Sequence, residues 1–138
     1  KLNFMDSTNK GNKNAPGFAG IIQKALDPLN FNSKFKNQFL DTHTNILLNA
    51  YNLNYAALIS INQGQIIVKG IKNKPKINLN KNALGWDAFL EMDSSIFLAL
   101  AMNRLSLFGI IKYWIQSKIK MKGLRKLLVL MKVFKLLG

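Results

Sequence analysis

Cysteine is absent from this 138-residue chain, which excludes disulfides and thiolate chemistry and leaves the redox compartment open. Histidine is nearly absent. His43, in "DTHTN", is the only one, expected at the edge of a first strand as a surface residue and not as a base. Long apolar runs are missing too. The longest is Ile96 to Met102, seven residues, against the roughly 20 that cross a bilayer, so no transmembrane segment is expected. No metal-ligand spacing, nucleotide loop or nucleophile motif occurs, and the expectation is a protein that is not an enzyme, with no metal and no cofactor.

Acid is scarce as well. Twenty Lys and Arg face six Asp and Glu, a formal charge of +14, and no acid follows Asp93. A field of that sign favours anionic membrane surfaces, acidic protein partners or polyanions, with a solvated lysine surface as the plain alternative. Nucleic acid is disfavoured, because the aromatic residues fall on apolar faces and are not interleaved with lysines as base stacking requires.

The length suits one domain. Residues 1–14, "KLNFMDSTNKGNKN", read as a polar arm without fold of its own, and 15–138 as a single domain. The chain opens on Lys1 and its first twenty residues lack the marks of a targeting peptide; any such peptide is expected to have been removed. A short helix is predicted over Gly17 to Leu26, ending before Pro28, and a second around Lys34 to Leu40, where Phe35 and Phe39 are four apart.

From Thr44 the period becomes two. "TNILLNAY", "NYAALISIN" and "QIIVKGI" predict strands, the last two joined at Asn62-Gln63-Gly64. "KINLN" predicts another short strand, with Ile77 and Leu79 on one face. In "WDAFLEMD", Trp86, Ala88, Leu90 and Met92 are expected on one side. Asp87, Phe89, Glu91 and Asp93 are expected on the other, the acids near solvent. Asp93 or Ser94 should cap a fully buried helix over Ile96 to Met102, ended by Asn103, and Ser106 an amphipathic one over Leu107 to Gln116.

"SKIKMKG" alternates strictly, which predicts a strand with Ile119 and Met121 inward and Lys118, Lys120 and Lys122 in water. After Gly123, Leu124 to Leu137 returns to helical spacing. Arg125, Lys132 and Lys135 share one arc, and the apolar remainder predicts a mostly buried helix.

The order helix, hairpin meander, "WDAFLEMDSSIFLALAMNRLS", amphipathic helix, "SKIKMKG", apolar C-terminal helix resembles the sterol carrier protein type 2 family. The resemblance covers Ile46 to Leu137 and is strongest from Glu91 onward, where "EMDSSIFLALAMNRLS" looks like the family's strand-cap-helix segment and "SKIKMKG" like its last strand. It implies an α+β fold: a five-stranded, mostly antiparallel sheet with helices on one face, enclosing an apolar tunnel for a fatty acyl chain, sterol or similar lipid.

On that reading the lining would come from Phe108, Ile111 and Trp114 on one helix and Leu127, Leu130, Met131 and Phe134 on the last, with Ile119 and Met121 as the floor. The alternative is that these side chains fill the space as core. Lys118, Lys120, Lys122, Arg125, Lys132 and Lys135 would form the membrane or partner surface. Two functions follow. One is a non-enzymatic lipid-binding and transport protein; the other is an accessory subunit of a large membrane-associated assembly that keeps the fold as a scaffold. The expected location is mitochondrial, otherwise cytoplasmic.

Overall fold

The computed structural model describes residues 14–101, 112, 116 and 118–137. The expected arm therefore lies outside the described residues except for Asn14. So do Asn103, Ser106 and most of the expected helix Leu107 to Gln116, including Phe108, Ile111 and Trp114.

Helix α1 (Gly17–Leu26) forms over the expected span and buries Phe18, Ala19, Ile22, Gln23 and Leu26, one stripe at helical spacing. Pro28 has no N–H to continue it, and the chain passes into a 3-10 turn at Asp27–Phe31. The Asn32 side chain then caps α2 (Ser33–Gln38), accepting from the Phe35 N–H at 3.0 Å. The rings of Phe35 and Phe39 meet with centroids 5.1 Å apart.

Among the described residues five strands follow: β1 (His43–Ala50), β2 (Tyr55–Asn62), β3 (Gln65–Lys72), β4 (Ala88–Met92) and β5 (Lys120–Lys122). They form one sheet in the order β3-β2-β1-β4-β5. Only the β1–β4 pair is parallel. The β2–β3 hairpin turns at Gln63 and Gly64, both at positive φ (51° and 79°), the geometry that matches strand twist. Any side chain at position 64 would also meet the Lys36 carbonyl oxygen, 2.9 Å from an added Cβ.

One face of the sheet is covered by α1, by α4 (Ser94–Ala101) and by α5 (Leu124–Leu137). Helix α1 lies over β2 and β3, and α5 over β1 and β4. Phe18 of α1 meets Phe97 of α4 at 5.0 Å between centroids. Ile46, Leu48, Ile59 and Ile61 are fully buried between these layers, each contributing roughly 1.5–3 kcal/mol by removal from water. The other face carries a second apolar cluster built on Leu47, Ala56, Leu58 and Phe89.

Four sequence expectations are corrected. "KINLN" is not a strand: Lys76–Leu79 is a 3-10 turn leading into the one-turn helix α3 (Lys81–Leu84). Pro75 precedes it, and the Asn78 side chain donates to the carbonyls of Lys72 and Lys74, curling the segment back on itself. Its residues therefore diverge, Leu79 buried and Ile77 71 % exposed.

Trp86 does not share a face with Ala88. It precedes the strand, after a left-handed Gly85, and stacks on Phe89 on the opposite side. Glu91 is not near solvent, because β4 is an interior strand and all five of its residues are buried. Finally, two helices are more exposed than expected. In α4, Phe97 is buried while Ile96 and Ala99 are half-buried. In α5 only Leu127, Leu130 and Val133 are buried, the stripe that meets the sheet, and Leu124, Leu128 and Leu137 are exposed.

Candidate functional site

The site expected from sequence lies between the sheet and α5, and it is built from both sides. On the sheet side, Ile119 is 1 % exposed and Met121 half-buried, paired with Leu90 across β4–β5. Gly123 then turns the chain from β5 into α5 at φ 74°. A Cβ there would run into the Asp87 carbonyl and Ala88, so only glycine lets β5 lie this close to the start of β4.

On the helix side, Leu127 and Leu130 point into the core, while Met131 and Phe134 are half-buried and pack against it. Six of the nine expected lining residues are thus described, and the structure brings all six to the same face of the sheet. They form two tiers. Ile119, Leu127 and Leu130 are sealed; Met121, Met131 and Phe134 make up a half-buried tier packed against the same core. Ile96 and Phe97 of α4 also pack into this core, which the uniformly apolar run did not single out in sequence.

The six expected surface cations are all exposed. Lys120 and Lys122 lie on the sheet face away from the helices, opposite Glu91 and Phe89 in register, as strand alternation predicts. Arg125, Lys132 and Lys135 lie on the outward side of α5 with Leu124 and Leu128, and α5 carries no acid. The strand lysines are not a bare row. The buried Glu91 carboxylate accepts from the Asn49 side-chain amide at 2.7 Å and has the Lys76 and Lys120 ammoniums each 3.7 Å from Oε1. Asn73 in turn donates to Asn49 Oδ1 at 2.9 Å, which completes a polar chain across the outer face.

The other acids act locally. Asp87 accepts the Asn45 N–H at 2.8 Å and ties β1 to the entry of β4. Asp93 caps α4: the hydroxyl and N–H of Ser95 donate to it and hold its carboxyl below the ordinary aspartate range. His43 stands exposed at the start of β1. Among the described residues, no three His, Cys, Asp or Glu come together, and no helix is long and apolar enough to cross a membrane.

A five-stranded mixed sheet in this order, with its longer helices on one face, is an α+β fold of the sterol-carrier type. Solved structures agree. The chain is similar to a structure described as "UbiJ-SCP2 Ubiquinone synthesis protein", with a TM-score of 0.56 and 9 % identity over 88 % of each chain. It is also similar to the stereoselective inverting sec-alkylsulfatase Pisa1 from Pseudomonas sp., with a TM-score of 0.52 and 16 % identity. That likeness covers 72 % of this chain and 14 % of the sulfatase. At these identities the likeness is one of fold. No family model and no curated protein matches the sequence.

Proposed function

We propose that this chain is a non-enzymatic lipid-binding protein that holds a fatty acyl chain, sterol or similar lipid between its sheet and α5. One observation carries the reading: Met121, Met131 and Phe134 stay half-buried beside the sealed core, on the face where the sterol-carrier resemblance implies an apolar tunnel. Long thioether and aromatic side chains adapt to a guest more readily than β-branched ones do. Apolar walls of this kind select by size, since each methylene removed from water is worth about 0.8 kcal/mol. Fluorescent fatty acids of graded chain length test it. Affinity should rise with length and then fall once the space is filled.

A second reading draws on α5. Its outward side combines Leu124 and Leu128 with Arg125, Lys132 and Lys135, which suits attachment to an anionic membrane or an acidic partner. On this reading the domain is an accessory subunit of a membrane-associated, mitochondrial assembly, and a lipid can remain in place. Release from anionic vesicles by salt, with lipid uptake unaffected, separates attachment from carriage.

A further inference from the structure

On the face of the sheet opposite α5, a concavity of about 600 Å³ opens beside β4 and β5. Its floor is apolar and aromatic: Leu79, Trp86 and Phe89, the two rings stacked with centroids 5.5 Å apart. The indole N–H donates to the Leu79 carbonyl at 2.9 Å, which fixes the ring in place. Ile77, largely exposed, stands at the mouth.

The rim is basic. Lys81 lies 5.5 Å from the centre of the Trp86 ring, and Lys122 is held beside Phe89 by the β4–β5 pairing. Lys76 completes the rim but stands 3.7 Å from Glu91. The acid on the rim, Asp87, already accepts the Asn45 N–H. An aromatic floor with more ammoniums than carboxylates on its rim is a surface with two chemistries.

We infer that this concavity binds a small amphiphile with a phosphate head. The dianionic phosphate lies against Lys81 and Lys122, and the apolar part of the ligand covers Phe89, Trp86 and Ile77. A bare anion would leave the apolar floor wet, and a neutral lipid would leave the ammoniums without the charge-assisted hydrogen bonds they can make. The site is independent of the proposed lipid site, because the sheet stands between them. A positively charged, solvated hollow without a ligand would show no saturable binding.

An NMR titration of the ¹⁵N-labelled full chain with dodecyl phosphate, kept below its micelle concentration, tests the inference. Inorganic phosphate and dodecanol serve as parallel arms. Saturable shifts are expected at the Trp86 indole N–H and the amides of Asn80, Asn82 and Gly123. Either parallel probe should bind at least about tenfold more weakly. Lys81→Gln and Lys122→Gln, both at exposed positions, should each weaken dodecyl phosphate about fivefold and leave fatty-acid uptake unchanged. Equal binding by inorganic phosphate or by dodecanol would overturn the inference. So would shifts confined to the α5 side of the sheet, or an affinity that neither substitution changes.

Discussion

The two faces of the sheet are closed by different means. The inner face meets α1, α4 and α5 through a dry set of aliphatic and aromatic side chains. The outer face has a smaller apolar cluster under a short 3-10 turn, one turn of helix and Trp86, and beside it the polar chain Asn73–Asn49–Glu91 with two lysines. Apolar contact against long helices gives stability and can leave room for a guest. A buried carboxylate needs all its partners in place, which fixes one arrangement and adds little net stability. On the proposed reading the inner face stores the lipid and the outer face carries the surface chemistry.

The largest expected effect tests the inner face. Leu48→Ala, at a fully buried position, should cost about 2–5 kcal/mol in chemical denaturation, because transfer energy and a cavity add. Glu91→Ala probes the outer face. It strips Asn49 of a buried acceptor and should cost about 1–3 kcal/mol, with Glu91→Gln milder because one acceptor oxygen remains. If both Glu91 variants match the wild type in denaturant, the polar chain contributes nothing and the contrast between faces weakens.

Attachment comes next. Changing Lys118, Lys120 and Lys122 together to Gln should reduce sedimentation with anionic vesicles severalfold at low salt and leave fatty-acid uptake nearly intact. Loss of uptake with attachment unchanged would reverse the assignment of the two faces. The smallest effect belongs to Asp93. Its carboxyl is lowered from 3.8 by the Ser95 hydroxyl and N–H, so its stabilisation is fully present above 3.8 and fades as pH falls through the lowered value. Asp93→Asn should flatten the acid limb of a thermal-stability profile slightly and change nothing at neutral pH beyond the loss of a charged cap.

Periodicity made most of this fold legible. Helix α1, the β2–β3 turn at Gln63-Gly64, the alternation of β5 and the start of α5 after Gly123 all appear where the residues demand them. Local pattern failed where tertiary context decides. "KINLN" alternates like a strand, yet Pro75 and the Asn78 amide curl it into the turn that covers the outer face. Trp86 continues the alternation of β4 in sequence but lies before the strand begins. Glu91 reads as a surface acid because nothing local reveals that β4 is flanked by β1 and β5 and roofed by Lys76. In α5, apolar residues outnumber what one sheet face can cover, so composition overstated its burial. Of the expected lining, the packing of the β5 and α5 residues against the core was legible, and that of Ile96 and Phe97 on α4 was not.

Fatty-acid uptake by the full chain measures most directly whether the half-buried tier beside the core holds a lipid. The unmodified protein should bind a fluorescent long-chain fatty acid saturably. Phe134→Asp and Met131→Lys should each abolish that binding while the β-sheet signal in circular dichroism persists, since both positions lie outside the sealed core. No uptake by the unmodified protein at any chain length, together with unchanged stability in the two variants, would contradict the account and leave this fold as a scaffold whose inner face is filled by its own side chains.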